Sequence, residues 1–333
     1  MALIKGTNSN NTLGGTTSAD EIYAYGGNDK VYGYGGNDWI DGGAGNDILY
    51  GGAGNDDLIG GTGINTLYGG AGADWFRMSA RSSALSDDYI ADFTLDSDKI
   101  DLRAWGVSDF SQVKALLGNT ADGGSLLNAY YGGYNHYIEI ANVTKGKFIS
   151  SDFVFDTSAK ALSISGTGSG DVLFGGRGDD LIHGNGGNDK LLGGIGDDDI
   201  FGGAGNDQIW GGQGSDYMSG GSGNDIFRFA AISEMTSSTG RDIIKDFQVN
   251  DSYGYDDRID FSQIDADATR AGNQAFDFIG GKKFISNSPG ELRYYYNSAG
   301  NTVVAGNVDN DATPEFEIVL IGKHNLDVSD FIV

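Results

Sequence analysis

The chain has 333 residues, no cysteine and a formal net charge of −26, from 21 Lys and Arg against 47 Asp and Glu. This composition excludes disulfide and thiol chemistry, and so acidic a surface argues against binding to nucleic acid or anionic lipid. No apolar run reaches the roughly 18 residues of a membrane span, and residues 1–6 lack the long apolar run of a signal peptide.

A nine-residue unit repeats without a register slip from Gly6 to Arg77. Residues Gly42 to Ile59 contain it twice, as Gly-Gly-Ala-Gly-Asn-Asp followed by a three-residue segment with a central Leu. We number the places of each unit from its first glycine, so that Asp47 occupies place six and Leu49 place eight. The same frame returns from Gly166 to Arg228, and the two arrays hold 41 of the 57 glycines.

Each unit predicts a tight turn followed by a short strand. Glycine permits the positive backbone angles of such turns, and the apolar side chain at place eight faces inward on a stacked strand. Burying one such side chain contributes roughly 1.5–3 kcal/mol, whereas ordering each residue of the backbone costs about 1–2 kcal/mol. Apolar burial alone therefore cannot fold the arrays, and a cation is expected to supply the missing stabilisation.

Calcium suits these units because it takes six to eight oxygen ligands from carboxylates and backbone carbonyls. The acidic residues are 41 Asp against 6 Glu, which favours a short carboxylate beside its own turn. About ten ions would offset most of the net charge of −26. The predicted metal ligands are Asp20, Asp29, Asp38, Asp47, Asp56, Asp74, Asp171, Asp180, Asp189, Asp198, Asp207, Asp216 and Asp225, with Gly42, Gly45, Gly51, Gly54, Gly202, Gly205, Gly211 and Gly214.

If two units form one coil, each ion should lie between units two apart on the same edge. Asp29 would then share an ion with Asp47, and Asp198 with Asp216. Weaker sites are expected at Asp20, whose turn lacks the glycines, and at Asn65, which lacks the charge. A calcium-free flexible linker would not keep an apolar residue in strict period.

The pattern Gly-Gly-x-Gly-x-Asp-x-apolar-x resembles the calcium-binding nonapeptide repeat of RTX proteins. The fold predicted is all-β, with two parallel β-roll solenoid blocks that are each followed by a β-rich capping domain. The predicted domains are a first β-roll at 1–77, a capping tail at 78–156, a bridge at 157–165, a second β-roll at 166–228 and a capping and secretion domain at 229–333.

Both tails predict half-buried strands, because apolar and charged residues alternate in 87–93, 98–102, 242–247 and 257–261. A short helix is predicted at 108–117 with Ser108 as its cap. A solenoid needs caps because its last coil would otherwise expose its apolar column.

The second tail resembles the C-terminal domain of serralysin-type secreted proteases, and the first tail resembles the R-modules of mannuronan epimerases. This resemblance implies calcium-dependent folding and export by type I (ABC transporter) machinery. The acidic-then-apolar ending of such export signals is matched by Asp330, Phe331, Ile332 and Val333.

Catalysis does not follow from the resemblance. A serralysin needs His-Glu-x-x-His for zinc, and the three histidines, His136, His183 and His324, are far apart in the sequence. An epimerase module would precede the first array, which begins at Gly6. We therefore predict no catalytic residues. Candidate contacts for sugar rings are Tyr130, Tyr131, Tyr134, Tyr294 and Tyr296, although tyrosine also favours strands in general.

Three hypotheses for function follow. The first is a secreted, extracellular and non-catalytic calcium-binding protein that folds outside the cell and acts as a binding or matrix module, with anionic polysaccharide as a candidate partner. The second is a glycan-active enzyme, a lyase or epimerase, that uses Glu291, Arg293 and Tyr294. The third is an accessory partner of a separately encoded secreted enzyme.

Overall fold

The structure is a computed structural model that describes residues 1–79, 85–108, 110–121, 123–131, 134–235, 241–249, 254–285 and 288–333, without the side chains at 111, 115, 116, 129–131, 134 and 135. The chain divides into two compact units, Met1–Thr157 and Ser158–Val333. Strands make up 45% of the structure and helices 6%. The predicted all-β class is confirmed, and the parallel sheets are those of a β-roll.

In the first unit the short strand after each turn joins one of two sheets in alternation, and all described strand pairs are parallel except β12 with β13 and β13 with β14. One sheet has the order β1-β3-β5-β7-β9-β11-β15, and the other has the order β12-β13-β14-β10-β8-β6-β4-β2. The strands are β1 (Leu3–Thr7), β2 (Thr12–Gly14), β3 (Glu21–Tyr25), β4 (Lys30–Gly35), β5 (Trp39–Asp41), β6 (Ile48–Ala53), β7 (Asp57–Ile59), β8 (Gly63–Ala71), β9 (Trp75–Arg77), β10 (Ser86–Ile90), β11 (Lys99–Asp101), β12 (Gly118–Asn119), β13 (Ser125–Tyr131), β14 (Tyr134–Ile140) and β15 (Phe153–Val154).

The second unit repeats this architecture. Its sheets have the orders β16-β18-β20-β22-β24-β29-β28-β27-β26 and β17-β19-β21-β23-β25-β30. The strands are β16 (Ser163–Ser165), β17 (Val172–Arg177), β18 (Leu181–Gly186), β19 (Lys190–Ile195), β20 (Asp199–Ala204), β21 (Gln208–Gln213), β22 (Tyr217–Ser222), β23 (Ile226–Arg228), β24 (Ile243–Ile244), β25 (Arg258–Asp260), β26 (Asp277–Gly280), β27 (Glu291–Tyr296), β28 (Thr302–Asn307), β29 (Phe316–Leu320) and β30 (Phe331–Ile332).

Helical segments are short and lie in the tails. The helix predicted at 108–117 is α1 (Phe110–Leu116). The Ser108 amide donates to Gln112 Oε1 at 2.8 Å. The 3-10 helices are Arg103–Trp105, Lys145–Lys147, Ser150–Asp152, Ile232–Glu234 and Val328–Asp330. Among the described residues, no helix is both long and apolar enough to cross a membrane.

The core of each roll is a column of place-eight side chains. These side chains stack because the parallel strands pair without a register shift, as in Leu49 opposite Leu67 and Ile200 opposite Met218. Each has no exposed surface, in keeping with the inward place-eight side chain predicted from the period. The column consists of Ile22, Val31, Ile40, Leu49, Leu58, Leu67 and Phe76 in the first unit and Leu173, Ile182, Leu191, Ile200, Ile209, Met218 and Phe227 in the second.

The rolls extend beyond the periodic sequence at both ends. In the first tail, β10 and β11 pair in parallel with β8 and β9, so that Ile90 and Ile100 continue the apolar column. In the second tail, β24 and β25 continue β22 and β23 in the same way. The segment predicted as a bridge also contains β16, which pairs with β18. Each tail thus adds coils before it closes the roll.

Place-four glycines are where neighbouring coils come closest. Gly205 has φ of +128°, and a Cβ added there would lie 1.8 Å from the carbonyl oxygen of Gly187, one coil earlier. Only glycine tolerates both the backbone angle and the contact. Gly168 is exposed and has open space around the position of a Cβ.

We therefore expect Gly205→Ala to destabilise the calcium-saturated protein by more than about 2 kcal/mol, since the left-handed backbone alone costs about 1–3 kcal/mol for a non-glycine residue. Urea unfolding followed by circular dichroism measures this. Gly168→Ala is the matched control and should change stability by less than about 1 kcal/mol. Equal effects of the two substitutions would contradict the close packing of the coils.

Candidate metal centre

The place-six aspartates lie at the end of each turn, immediately before the inward-facing strand. All thirteen predicted aspartate ligands are between 0% and 2% exposed. In the described chain, none of the ion pairs with Lys or Arg involves these carboxylates. Each roll thus buries two rows of negative charge without a cation from the protein.

Except at Asp171, whose Oδ2 accepts from Thr167 in its own turn, one oxygen of each carboxylate is held by the backbone of the previous coil. The amide of Asp29, for example, donates to Asp47 Oδ1 at 2.7 Å. This contact joins the aspartates that were predicted to share an ion, although the ions themselves stay a prediction. The same contact, at 2.6–2.9 Å, joins Asp20 to Asp38, Asp38 to Asp56, Asp56 to Asp74, Asp171 to Asp189, Asp180 to Asp198, Asp189 to Asp207, Asp198 to Asp216 and Asp207 to Asp225.

The other carboxylate oxygen is buried without a hydrogen-bond partner in nearly every unit. Burial without a partner costs free energy for a neutral polar group and more for a charge. These oxygens are Oδ2 of Asp29, Asp38, Asp47, Asp56, Asp74, Asp180, Asp189, Asp198, Asp207, Asp216 and Asp225, and Oδ1 of Asp171. Together they form an acceptor-only array that fits an oxygen-binding cation.

Backbone carbonyls face the same positions. A Cβ added to Gly33, at place one, would lie 2.4 Å from both Asp38 Oδ2 and the carbonyl oxygen of Gly51, one coil later. At Gly193 the corresponding distances are 2.3 Å to Asp198 Oδ2 and 2.5 Å to the carbonyl oxygen of Gly211. The absent Cβ leaves a small space between a carboxylate and a carbonyl, as calcium ligation requires.

The predicted glycine ligands differ in position. The place-one glycines Gly51, Gly202 and Gly211 direct their carbonyl oxygens toward the space beside the carboxylate of the previous coil. The place-four glycines lie close to their counterparts in the next coil, as the carbonyl of Gly45 does at Gly63. Gly45, Gly54, Gly205 and Gly214 all have a positive φ, between +128° and +144°. The geometry supports place-one carbonyls as ligands, and ligation by the place-four glycines stays a prediction.

Two positions depart from the array, and both were predicted as weaker sites. Asp20 has both oxygens satisfied, Oδ1 by the amide of Ala2 and Oδ2 by the amide and hydroxyl of Thr16. Asn65 donates from Nδ2 to Asp88 Oδ1 at 3.0 Å. An amide therefore occupies the position that a carboxylate has in the other units. These contacts favour the prediction of weaker binding at both positions.

Four tail aspartates were missed from the sequence. They occupy the place-six position of the added coils, where amides from the last repeats donate to Asp98 Oδ1 at 3.0 Å and to Asp242 Oδ1 and Asp257 Oδ1 at 2.9 Å each. Asp88 is the fourth. The sequence signal that could have found them is an Asp two residues before a buried Ile, as in Asp98-Lys99-Ile100. The connecting loops in the tails are longer, so these aspartates do not fall in the nine-residue period.

Asp92 and Asp246 end the rolls in the same way. Asp92 accepts from the amides of Gly69 and Gly70 at 2.9 and 3.0 Å. Asp246 accepts from the amides of Gly220 and Gly221 at 3.0 and 3.1 Å. Each carboxylate satisfies two backbone donors of the last glycine-rich turn. The phenylalanines that follow, at 93 and 247, contact the last rings of the apolar columns.

Burial raises the pKa of several place-six carboxyls inside the arrays, and neighbouring acidic groups add to the effect. The pKa rises to about 6 at Asp47, to about 7 at Asp189, and to about 8 at Asp198 and Asp216. Backbone amide donors at these positions lower the pKa but do not compensate. Without a cation, the folded array holds protons near neutral pH.

The tyrosines predicted to contact glycans fall into two groups. The side chains of Tyr130, Tyr131 and Tyr134 lie outside the described residues. Tyr294 stacks on Phe278 with ring centroids 6.2 Å apart. Tyr296 is 43% exposed. Sugar contact therefore stays a prediction, and Tyr296 is the better placed of the second pair.

The residues of the lyase hypothesis do not all share a face. Strand alternation places Arg293 with Tyr295 rather than with Tyr294. The Arg293 guanidinium lies 5.0 Å from the Tyr295 ring, and the Tyr295 hydroxyl donates to Glu317 Oε1 at 2.6 Å. Arg241 also pairs with Glu317. These contacts describe a cross-strand polar cluster on β27 and β29.

A separate acidic cluster lies after β28. Carboxylate oxygens of Asp309, Asp311 and Glu315 all lie within 4.8 Å of one another. The amide of Asp309 donates to Asn307 Oδ1 and the amide of Asp311 to Asp309 Oδ1, as in successive polar turns. The turn contacts account for this loop.

The repeats of both units match a known protein family. The family model of the RTX calcium-binding nonapeptide repeat, in four copies, matches residues 5–40, 31–58, 50–77, 165–200 and 192–227. The predicted resemblance to RTX repeats is confirmed: the chain carries calcium-binding nonapeptide repeats in both units. The comparison with curated proteins gave no match.

Two solved structures are similar to parts of this chain. The AlgE6R3 subunit of the mannuronan C5-epimerase from Azotobacter vinelandii shares 25% identity over 53% of this chain and 80% of its own, with a TM-score of 0.33. The AlgE6R2 subunit of the same epimerase shares 24% identity over 52% of this chain and 89% of its own, with a TM-score of 0.27.

The raised pKa values give the metal-free fold a defined pH dependence. The pKa of Asp47 rises from 3.8 to about 6 and that of Asp198 and Asp216 to about 8 on folding, so the folded state binds more protons between these values. Its stability is fully present below about pH 3.8 and is lost as the pH rises through about 6 to 8.

In excess chelator we therefore expect little strand signal in circular dichroism at about pH 9, and more as the pH falls toward about 5. Calcium-saturated protein serves as the control and should keep its signal across the upper part of this range. A chelated chain that loses strand signal on acidification would contradict the expected sign.

Proposed function

We propose that this chain is a secreted, non-catalytic calcium-binding protein that folds when calcium fills its two rolls outside the cell. The observation that carries the proposal is the array of buried, unpartnered carboxylate oxygens, each next to a backbone carbonyl in the units where a place-one glycine leaves room. An acceptor-only array of this kind requires bound protons or a cation, and above the raised pKa values only a cation remains. Calcium is the ion that matches both the ligands and the repeat family.

Folding and calcium binding are one event in this proposal. The aspartates of neighbouring coils are 18 residues apart in sequence, so no preformed site exists in the unfolded chain. The free energy of binding is then the free energy of folding. Extracellular calcium sites bind at roughly 10⁻⁴–10⁻³ M, which keeps the chain unfolded at the low calcium concentration of a cytosol.

The proposed export signal fits this order of events. Phe331 is 6% exposed and its ring lies 5.0 Å from that of Phe278. Asp330 is 1% exposed and accepts from the amide of Asp327. Because these residues are buried in the folded second unit, a type I exporter could recognise them only before that unit folds. Retention of the unfolded chain until it meets calcium would keep the signal accessible.

Circular dichroism with and without calcium tests the proposal directly. At about pH 8 in excess chelator we expect an unfolded spectrum, because the carboxylates then repel one another without compensation. Millimolar calcium should produce a strand-rich spectrum, and elemental analysis should find several calcium ions per chain. A strand-rich chain in chelator at this pH, or folded protein without calcium, would overturn the proposal.

The folded protein would act as a binding or matrix element, and we propose anionic polysaccharide as its partner. Exposed tyrosine rings offer a stacking surface for sugar rings. Tyr296 offers such a ring at the edge of β27. Its hydroxyl donates to the His324 carbonyl oxygen at 3.1 Å, which fixes the ring.

Retention on a calcium alginate column tests this partner. We expect the triple substitution of Tyr130, Tyr131 and Tyr134 by Ala, or Tyr296→Ala, to weaken retention several-fold while calcium-induced folding is unchanged. Tyr34→Ala is the matched control, because Tyr34 is 57% exposed on the first roll and is not a predicted contact. Retention that none of the tyrosine substitutions changes would remove the polysaccharide contact from the proposal.

A further inference from the structure

The junction between the last repeats and the tail differs between the two units. In the first unit, the Asn65 amide donates to Asp88 Oδ1. In the second unit, the equivalent positions hold Asp216 and Asp242, so two carboxylates meet where the first unit has a carboxylate and an amide. The equivalence follows from the pairing, which places both tail residues one coil beyond the repeats and four residues before the capping Asp92 or Asp246.

Asp216 and Asp242 repeat the contact that joins aspartates within the array. The Asp216 amide donates to Asp242 Oδ1 at 2.9 Å, within 0.1 Å of the contact between Asp198 and Asp216. Asp242 is 0% exposed and Asp216 is 1% exposed. Oδ2 of each residue is buried without a hydrogen-bond partner. Among the described residues, neither carboxylate oxygen of Asp88 in the first unit is found buried without a partner.

The surroundings increase the negative charge at this junction. Glu234, on the 3-10 helix Ile232–Glu234, is 9% exposed. It acts on Asp216 and Asp242 as a like charge, and Asp197 does so as well. Buried carboxylates brought together in this way need either protons or a cation.

We propose that the second unit binds an additional calcium ion between Asp216 and Asp242, which joins the last repeat to the tail, and that the Asn65 amide replaces this ion in the first unit. The inference rests on the proposed calcium-dependent folding. It places a metal site beyond the nonapeptide repeats, which end at Arg228. The ion would make the docking of β24 depend on calcium, since Asp242 lies directly before that strand.

Counting bound calcium on the full chain by native mass spectrometry tests the site. We expect Asp242→Asn to lose one ion relative to the unmodified protein at saturating calcium. Asp199→Asn is the matched control, with the same change of charge at an exposed position of the second roll, and should keep the full count. A folded Asp242→Asn protein with an unchanged count would overturn the inference.

The reciprocal substitution creates the site in the first unit. Asn65→Asp places a second carboxylate beside Asp88, and we expect at least one ion more than in the unmodified chain. Crystals of the unmodified protein grown in calcium provide an answer that does not depend on whether a variant folds. An anomalous peak within roughly 2.3–2.6 Å of oxygens from both Asp216 and Asp242 supports the site.

Absence of that peak, with peaks present inside the arrays, would overturn the junction site and leave the proposed function intact. A protein that binds no calcium at all would instead overturn the proposed function. A folded Asn65→Asp protein without a gain would overturn the claim that the Asn65 amide replaces the ion in the first unit. These outcomes separate failure of the junction site from failure of calcium-dependent folding.

Discussion

The structure depends on rows of buried carboxylates that the described chain does not neutralise. Each nine-residue unit contributes one apolar side chain to the core, too little to offset the cost of ordering a glycine-rich turn. The carboxylates raise that cost, because a buried charge without a partner is strongly unfavourable. In the proposed function, a cation between coils reverses the sign of this contribution, and the least favourable feature of the fold becomes its main source of stability.

This constraint explains the choice of residue at several places of the unit. Aspartate is short enough for one oxygen to accept from the amide one coil earlier while the other faces the metal position, as at Asp47 and Asp198. Glycine suits place one because a Cβ at Gly33 would fill the space between Asp38 and the next coil. In the folded roll the amide contact fixes one oxygen of the carboxylate. The remaining oxygen is thus oriented by the backbone.

The periodic part of this fold could be predicted from the sequence, because each place has a single physical task. The place-eight column and the burial of place six follow from the period. The hydrogen bonds between the place-five asparagines of neighbouring coils do not follow from the period. The Asn46 amide donates to Asn28 Oδ1 at 2.9 Å, and the sequence alone gave no reason for asparagine there. The side-chain partners of Tyr295 were also hidden, since they come from a distant strand.

The tail aspartates show why the last coils of each roll could not be predicted from the period. Within the arrays, contacting place-six residues are 18 apart, whereas the separation is 24 from Asp74 to Asp98 and 32 from Asp225 to Asp257. Strand pairing requires only an Asp two residues before an inward apolar side chain, and the loop between coils is free to lengthen at small entropic cost. A search for a fixed period therefore stops before the roll does.

The ends of the rolls show what replaces the repeat when it stops. The last glycine-rich turn presents amides that the next coil would have paired, and Asp92 and Asp246 satisfy two of these donors each. Asp98 and Asp257 have both oxygens engaged by backbone amides. Asp92, Asp98, Asp246 and Asp257 thus serve as fully engaged acceptors at the ends, whereas Asp242 and most aspartates inside the arrays present an unpartnered oxygen. The difference lies in how many backbone donors reach each carboxylate: two leave it satisfied, whereas one leaves an oxygen that only a cation or a proton can match.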